Sequence, residues 1–306
     1  MPPRSPLPPR HGLSAAWLRT PDRGMPRPDP WPTMGAWLRD RLPERVDVQG
    51  FLAEQRFVHD DGSPVRDDEP YAPHTFVWFH RDLPVEAEVP GRIHVVHQDE
   101  RIVVVDKPAF LSSIPRGQHV RQSVVVRLRD ELGLPELTPA HRLDRVTSGL
   151  LMLATTRRWR GPYQSMFQAG TVRKTYWAQA PVRDDLELPV AVRNHIIKRR
   201  GSWQAEVVPG APVNAETQVE LDSRAGDLGV YRLTPRTGRT HQLRLHLHGL
   251  GIPIVDDPLY PVVEDVAIDD FSRPLQLLAG ELAFTDPVDG TDRLFRSVRS
   301  LPLLPD

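Results

Sequence analysis

The side chains able to do chemistry in this sequence are carboxylates, arginines and histidines, because it contains no cysteine at all. Disulfides, thiolate zinc sites and cysteine nucleophiles are excluded together. One carboxylate stands out by position. Asp144, in the string His141-Arg-Leu-Asp-Arg-Val-Thr-Ser-Gly-Leu-Leu, lies between a polar turn and an apolar strand, where a side chain can project from a rigid scaffold into a cleft. Composition alone leaves a second reading open, in which Asp144 caps a turn and pairs with Arg142 or Arg145. Further on, His241, Arg244 and His248 fall on one face of a helical pattern whose other face carries Leu243, Leu247 and Leu250, so one face can pack while the other reaches a ligand. His241, His246 and His248 with Asp256 and Asp257 also raise the alternative of a metal-dependent hydrolase. Spacings of five and seven residues, however, do not put all three imidazoles on one helix face.

The elements that must position these groups can be read from apolar runs and their stops. Arg101-Ile-Val-Val-Val-Asp-Lys ends at Pro108 and reads as a buried strand that delivers Asp106 and Lys107 to an edge. Ser123 is placed to N-cap a helix carrying Val125, Leu128 and Leu132 on one face, with Gly133 and Pro135 as its stop. Gly149 to Ala154, Thr175 to Ala180 and Gly229 to Leu233 read as strands, and Pro235 to Gly249 as a turn leading into a helix. Residues 1 to 32 hold about a third of the 33 prolines, interspersed with arginines, and predict a flexible arm. Residues 33 to 86 begin with an amphipathic pattern (Trp37, Leu38, Leu42, Val46) and predict a small α/β region of their own. From residue 91 to 303, strands and helices intermix as in a larger α+β domain.

The net charge of −1 over 306 residues gives no global sign of a polyanion binder. The basic residues are grouped instead: Arg157, Arg158 and Arg160; Arg173 and Lys174; Lys198 to Arg200; and Arg236, Arg239 and Arg244. Each group reads as solvated surface unless folding gathers it around a site. No apolar run approaches the roughly 20 residues of a membrane helix, and no secretory signal opens the chain. A cytoplasmic protein without membrane contact is therefore expected.

His-Arg-Leu-Asp-x-x-Thr-Ser-Gly-Leu-Leu resembles the signature of the RluA-type pseudouridine synthases. Three further segments resemble the same family in the same order: Val105-Asp-Lys-Pro-Ala, Lys174-Thr-Tyr-Trp-Ala, and Arg236-Thr-Gly-Arg-Thr-His-Gln-Leu-Arg. The resemblance implies a mixed, mainly antiparallel central sheet with flanking helices and an RNA cleft across it. It implies Asp144 as nucleophile, Tyr176 as the active-site tyrosine and Arg244 as the basic partner of the aspartate. Conversion of uridine to pseudouridine breaks an N-glycosidic bond, turns the base and joins C5 to the sugar without redox change, so no metal or organic cofactor is expected. A carboxylate attacks only when ionised, and a guanidinium beside it favours that form with a planar set of donors. Arg142, Lys174, Arg236, Arg239 and His241 become candidates for holding the RNA, with ribosomal RNA the first expected substrate, transfer RNA the second, and a monomer the expected state.

Two positions depart from the family pattern. Asp256 stands where glycine is common, and Leu278 where histidine is frequent; pocket shape follows such positions more than chemistry does. Residues 33 to 86 bear a weaker likeness to the small S4-type RNA-binding domain, from which Asp60, Asp61, Asp67, Asp68 and Glu69 depart by making the segment acidic. The competing reading of the whole chain is an RNA-binding protein that keeps the synthase fold without catalysis.

Overall fold

The protein is described here by a computed structural model covering residues 3–21 and 31–302. The chain divides into two compact units, Met1–Val85 and Glu86–Asp306. Among the described residues, no helix is long and apolar enough to cross a membrane.

In the first unit, strand β1 (Ala16–Arg19), helices α1 (Met34–Arg41) and α2 (Val48–Ala53), and strand β2 (Phe76–Phe79) enclose a core of Met34, Trp37, Leu38, Phe51, Phe57, Val77 and Phe79. Both helices start from side-chain caps. Thr33 Oγ1 accepts from the Ala36 N–H at 3.1 Å, and Asp47 Oδ1 from the Gly50 N–H at 2.9 Å. The expectation of a structureless arm over residues 1 to 32 needs correction at Ala16–Arg19, which pair antiparallel with Phe76–Phe79. Ala16 and Leu18 alternate into the core, a two-residue period too short to stand out beside so many prolines. Residues 22–30 of that arm lie outside the described residues.

The second unit is built on one ten-stranded sheet. Its elements are β3 (His94–Gln98), β4 (Ile102–Lys107), α3 (Val124–Glu131), β5 (Thr138–Pro139), β6 (Ser148–Ala154), α4 (Arg157–Gln168), β7 (Arg173–Pro181), β8 (Val190–Asn194), β11 (Ala215–Ala225), β12 (Leu228–Pro235), α5 (Gln242–Gly249), β13 (Leu277–Thr285) and β14 (Asp292–Arg296); a separate two-stranded ribbon joins β9 (Ile196–Ile197) to β10 (Glu206–Val207). The strand order is β3-β4-β6-β13-β7-β12-β11-β8, with β5 beside β6 and β14 beside β13. Every pairing is antiparallel except that of β6 with β13, which runs parallel through Ser148–Leu278 and Gly149–Ala279. This is the mixed, mainly antiparallel sheet that the family resemblance implies.

β4 is an interior strand, not the carrier to an edge that its Pro108 stop suggests: it is paired on both sides, and Asp106 and Lys107 are fully buried. Asp106 accepts from Ser297 Oγ at 2.6 Å and the Val298 N–H at 2.8 Å, with Arg299 Nε 3.0 Å away, so its charge is compensated inside the fold. Ser123 precedes α3 as expected but does not cap it through its side chain. Its hydroxyl donates to the Val120 carbonyl instead.

The parallel seam depends on Gly149. Its φ is +106°, and a Cβ there would lie 2.3 Å from the carbonyl oxygen of Ala279. Gly149→Ala is expected to destabilise the unit by about 2 kcal/mol or more through backbone strain and collision. An unchanged urea midpoint for that variant would contradict the need for close approach at the seam.

Candidate active site

Asp144 sits in the loop between β5 and β6, and its neighbours are fixed from behind. Leu143 is buried, its N–H donating to Ser113 Oγ at 3.0 Å and its carbonyl accepting from the same hydroxyl at 2.7 Å. On the other side, the Arg145 carbonyl accepts from Lys107 Nζ at 3.1 Å. Lys107 also donates to the carbonyls of Pro108 at 3.0 Å and Leu111 at 2.8 Å. Burial pushes the pKa of this ammonium down to about 7, while the charge of Asp144 acts in the opposite sense. The Thr147 N–H closes the turn by donating to the Asp144 carbonyl at 3.1 Å. The Asp144 carboxylate stays partly accessible, its side chain 33% exposed.

The ion-pair partner of Asp144 is neither Arg142 nor Arg145. Arg145 donates to the Phe110 carbonyl at 3.3 Å, and Arg142 is exposed. Asp144 Oδ2 lies 3.6 Å from Nη1 of Arg244, whose side chain is 2% exposed. Arg244 rises from α5 and is held on its other side by Asp257, with Nε donating to Oδ2 at 2.8 Å and Nη2 to Oδ1 at 2.5 Å. Burial opposes the arginine's charge, but the hydrogen bond and charge of Asp257, with that of Asp144, outweigh it and raise its pKa. The guanidinium therefore stays charged behind an accessible carboxylate.

Asp257, raised from the sequence only as a metal ligand in the hydrolase alternative, completes the arrangement. Its side chain is fully buried, and its Oδ1 also accepts the N–H groups of Leu259 at 2.8 Å and Tyr260 at 3.1 Å. Asp256 just before it has φ +57°, a left-handed conformation that glycine adopts freely and aspartate tolerates. The departure from the family's glycine at that position is thus conformationally compatible. The signal that could have found Asp257 was the need of a buried arginine for a second carboxylate.

Tyr176 projects from β7 at the meeting of two cores. It packs against the cluster of Val103, Leu111, Val124 and Leu151 and against that of Leu233, Leu243 and Leu247. Burial raises its hydroxyl pKa, and the charge of Asp144 adds to the shift. His241, at φ +57° ahead of α5, places Nδ1 3.0 Å from the Tyr260 hydroxyl. Asp144, Arg244, Tyr176 and His241 are thereby gathered in one electrostatic neighbourhood.

Against this geometry, a sequence profile described as RNA pseudouridylate synthase matches residues 101–249, a span that includes all four of those residues. The Dual-specificity RNA pseudouridine synthase RluA of Yersinia pestis is 31% identical over 216 residues, covering 66% of this chain and 97% of that protein. The chain belongs to the RluA-type pseudouridine synthases. RNA pseudouridine synthase 7 of Oryza sativa subsp. japonica is 35% identical over 177 residues, covering 56% of this synthase and 45% of the plant protein. The solved structure of Human RNA Pseudouridylate Synthase Domain Containing 1 superposes with a TM-score of 0.56 at 25% identity, over 71% of this chain and 88% of that one.

The remaining RNA-contact candidates of the synthase form a second group. Lys174 Nζ donates to the Thr237 carbonyl at 3.3 Å, Arg236 Nη1 lies 3.1 Å from Glu216 Oε1, and Arg239 Nε donates to the Asn214 carbonyl at 3.1 Å. Gln242 ties this turn down by accepting from the Arg239 N–H at 3.0 Å and donating to Thr217 Oγ1 at 2.9 Å. Among the described residues, no cluster of three or more His, Asp or Glu side chains is arranged to hold a metal ion. His246 Nε2 meets Asn194 Oδ1 at 3.0 Å and His241 meets Tyr260, which disperses the ligand set that a hydrolase would need.

Burial depresses five histidines of the synthase, His80 and His119 among them, and three fall far: His141 to about 3, with Lys174's charge acting in the same direction, and His241 and His246 to about 4. His141 lies flat on Phe167 with centroids 4.3 Å apart and accepts the Met152 N–H at 3.1 Å, a bond that requires an unprotonated Nε2. In the unfolded chain these groups titrate near 6.5. Between that value and about 4 the unfolded state therefore binds more protons, and stability falls as the pH falls. The melting temperature is expected to decline already between pH 7 and pH 5; a flat profile there would show that these imidazoles are not held neutral.

Proposed function

We propose that this synthase isomerises specific uridines in folded RNA with Asp144 as the nucleophile, Arg244 as its charge partner and Tyr176 as the ring beside the target base. The observation that carries this is the 3.6 Å approach of a buried, Asp257-clamped arginine to an accessible carboxylate. In the reaction the carboxylate bonds to the ribose or to the uracil ring, the N1–C1′ bond breaks, the base turns, the C5–C1′ bond forms, the bond to the carboxylate is released, and the proton lost from C5 is matched by one gained at N1. Both routes use the same carboxylate and conserve oxidation state. Arg244 presents its charge 3.6 Å from Asp144 Oδ2 and stays in place while the nucleophile's charge changes. The Tyr176 hydroxyl, kept protonated by burial and by Asp144, is suited to hydrogen bonding and its ring to stacking on the base.

A target base within a structured RNA must leave its stack, at a cost of a few kcal/mol that is least in loops. Arg142 near Asp144 in sequence, Lys174 on β7, and Arg236 and Arg239 on the turn before α5 supply cations for the opened backbone. Ribosomal RNA is our first substrate and transfer RNA the second; the Yersinia relative's description as dual-specificity favours recognition by shape and accessibility over a single long sequence. The test is a transcriptome-wide pseudouridine map from cells lacking the protein, complemented with wild type or Asp144→Ala. Sites lost on deletion and restored by wild type alone support the reading and name the RNA. Sites restored equally by Asp144→Ala would overturn it in favour of an RNA-binding role.

A further inference from the structure

His241 stands in the site without a part in the reaction as described, and the fold dictates which of its nitrogens carries the proton. It precedes α5 at φ +57°, three positions before Arg244, with its side chain half-buried. The Tyr260 hydroxyl meets three groups: the Ala205 N–H at 2.8 Å, the Ala205 carbonyl at 3.1 Å and His241 Nδ1 at 3.0 Å. A phenol has one proton to give, and burial keeps it in place by pushing the Tyr260 pKa up to about 12. Ala205 is buried, and among the described residues its carbonyl has no other hydrogen-bond partner. Giving the proton to the imidazole would leave that carbonyl unsatisfied. One arrangement satisfies all three groups: the hydroxyl donates to the Ala205 carbonyl and accepts from both the Ala205 N–H and a His241 Nδ1–H.

The neutral imidazole is thereby held as its Nδ1–H tautomer, with Nε2 left as an acceptor. Burial, against the charge of Asp144, keeps that nitrogen unprotonated at neutral pH. Among the described residues Nε2 has no hydrogen-bond partner, and it is not sealed off from solvent. Of the charges around the ring, that of Asp144 acts most strongly and that of Arg244 next, so the acceptor belongs to the surroundings of the nucleophile. A fixed tautomer discriminates only against a group of fixed polarity. A ribose hydroxyl both donates and accepts and would suit either tautomer, whereas the N3–H of uracil only donates.

We propose that His241 Nε2 accepts the N3–H of the target uracil and is the pivot on which the detached base turns. The inference rests on Asp144 being the nucleophile of the reaction described above. Isomerisation brings C5 to the place that N1 held opposite C1′. In the six-membered ring these two atoms are exchanged by a half-turn about the line through N3 and C6, which also exchanges the two carbonyls. N3 lies on that line, so a hydrogen bond along it survives the half-turn, whereas a bond to either carbonyl must be broken and remade. The contact holds the base in the site without opposing its rotation. It also selects uracil, because cytosine presents an unprotonated N3 and two facing acceptors are left unpaired. Tyr260 acts through His241, as a positioning residue.

Nitrogen NMR of the full chain labelled in histidine reads the tautomer directly, with His241 expected as Nδ1–H at neutral pH; an Nε2–H form would overturn the proposal before any RNA is added. Single-turnover rates are then compared on a stem-loop RNA carrying a mapped site, with uridine, N3-methyluridine or 2′-deoxyuridine at the target. N3-methylation is expected to slow the wild type about a hundredfold. His241→Asn tolerates the left-handed backbone but reaches only as far as Nδ1; it is expected to slow uridine turnover about tenfold and to shrink the N3-methyl penalty to a few-fold. His241→Gln, whose amide oxygen reaches the place of Nε2, should recover part of the uridine rate and part of that penalty. Unchanged melting temperatures identify the folded variants. A penalty equal in wild type and His241→Asn, as a merely structural histidine would give, overturns the proposal; so does a variant that shrinks the deoxyuridine penalty alone, which puts the acceptor on the ribose. Asp144→Asn run alongside keeps the two readings apart: turnover by it removes the nucleophile, whereas its inactivity together with an uncoupled His241 removes the pivot alone.

Discussion

Replacing Asp144 by alanine or asparagine is expected to abolish pseudouridine formation, on the order of 10⁴-fold or more in single-turnover rate, since loss of a covalent nucleophile leaves only binding and fixed electrostatics. Folding should survive, because the side chain reaches Arg244 only at 3.6 Å and the turn is closed by the backbone carbonyl. Affinity for RNA should also survive or increase, since the change removes a negative charge from a surface that meets phosphates. The asparagine variant is the sharper instrument because it keeps shape and hydrogen-bonding capacity while removing the charge. Measurable turnover by it, with an unchanged melting temperature, would remove Asp144 from the mechanism.

The second large effect is expected at Arg244. Arg244→Ala strips the fully buried Asp257 of its counter-charge, leaving it the N–H groups of Leu259 and Tyr260. Breaking a buried pair from one side costs about 3–5 kcal/mol. Asp257→Asn should cost less, as the amide can still accept from the arginine and the loop. Arg244→Lys keeps a charge without the two-pronged geometry, and is expected to recover part of the stability but little of the rate. A double replacement, Arg244→Met with Asp257→Leu, should regain most of the lost stability and none of the turnover. Denaturant titration alongside single-turnover kinetics checks all four; a stable and active Arg244→Ala protein would mean that the ion pair serves neither fold nor reaction.

The apolar runs were sufficient to locate β4 and β6, because each is buried along most of its length and its hydrophobicity is nearly continuous, while β7 and β12 were located from shorter apolar stretches broken by polar residues. The helix α5 was legible too, although not its setting, since residues 242–247 are all buried where the sequence suggested one packed face and one open one, and His241 precedes the helix; the family was legible from four short strings. Pairing was not legible. The interior position of β4 follows from partners on both sides, which nothing in its own residues specifies, and β1 is a four-residue strand visible only through its match to β2. At the site, sequence supplied Asp144, Arg244 and Tyr176 but paired the arginine with one carboxylate. The second, Asp257, lies beyond the end of α5 across a turn, and its role follows from depth of burial rather than from local pattern.

The parallel contact between β6 and β13 has a consequence for how the molecule acquires its competence. One part of the sheet, β3, β4 and β6, is drawn from residues 94–154, and the other, β13, β7, β12, β11 and β8, from residues 173–285. The first part is built from chain neighbours, whereas within the second β13 reaches back to β7 across about 100 residues, and the ladder joining the two parts spans about 130 residues of chain and consists of Ser148–Leu278 and Gly149–Ala279. Asp144 belongs to the first part; Tyr176, Arg244 and Asp257 belong to the second. Asp144 and Arg244 therefore meet only once this sparse, long-range join has closed, so their pairing is a property of the assembled sheet and of neither part alone.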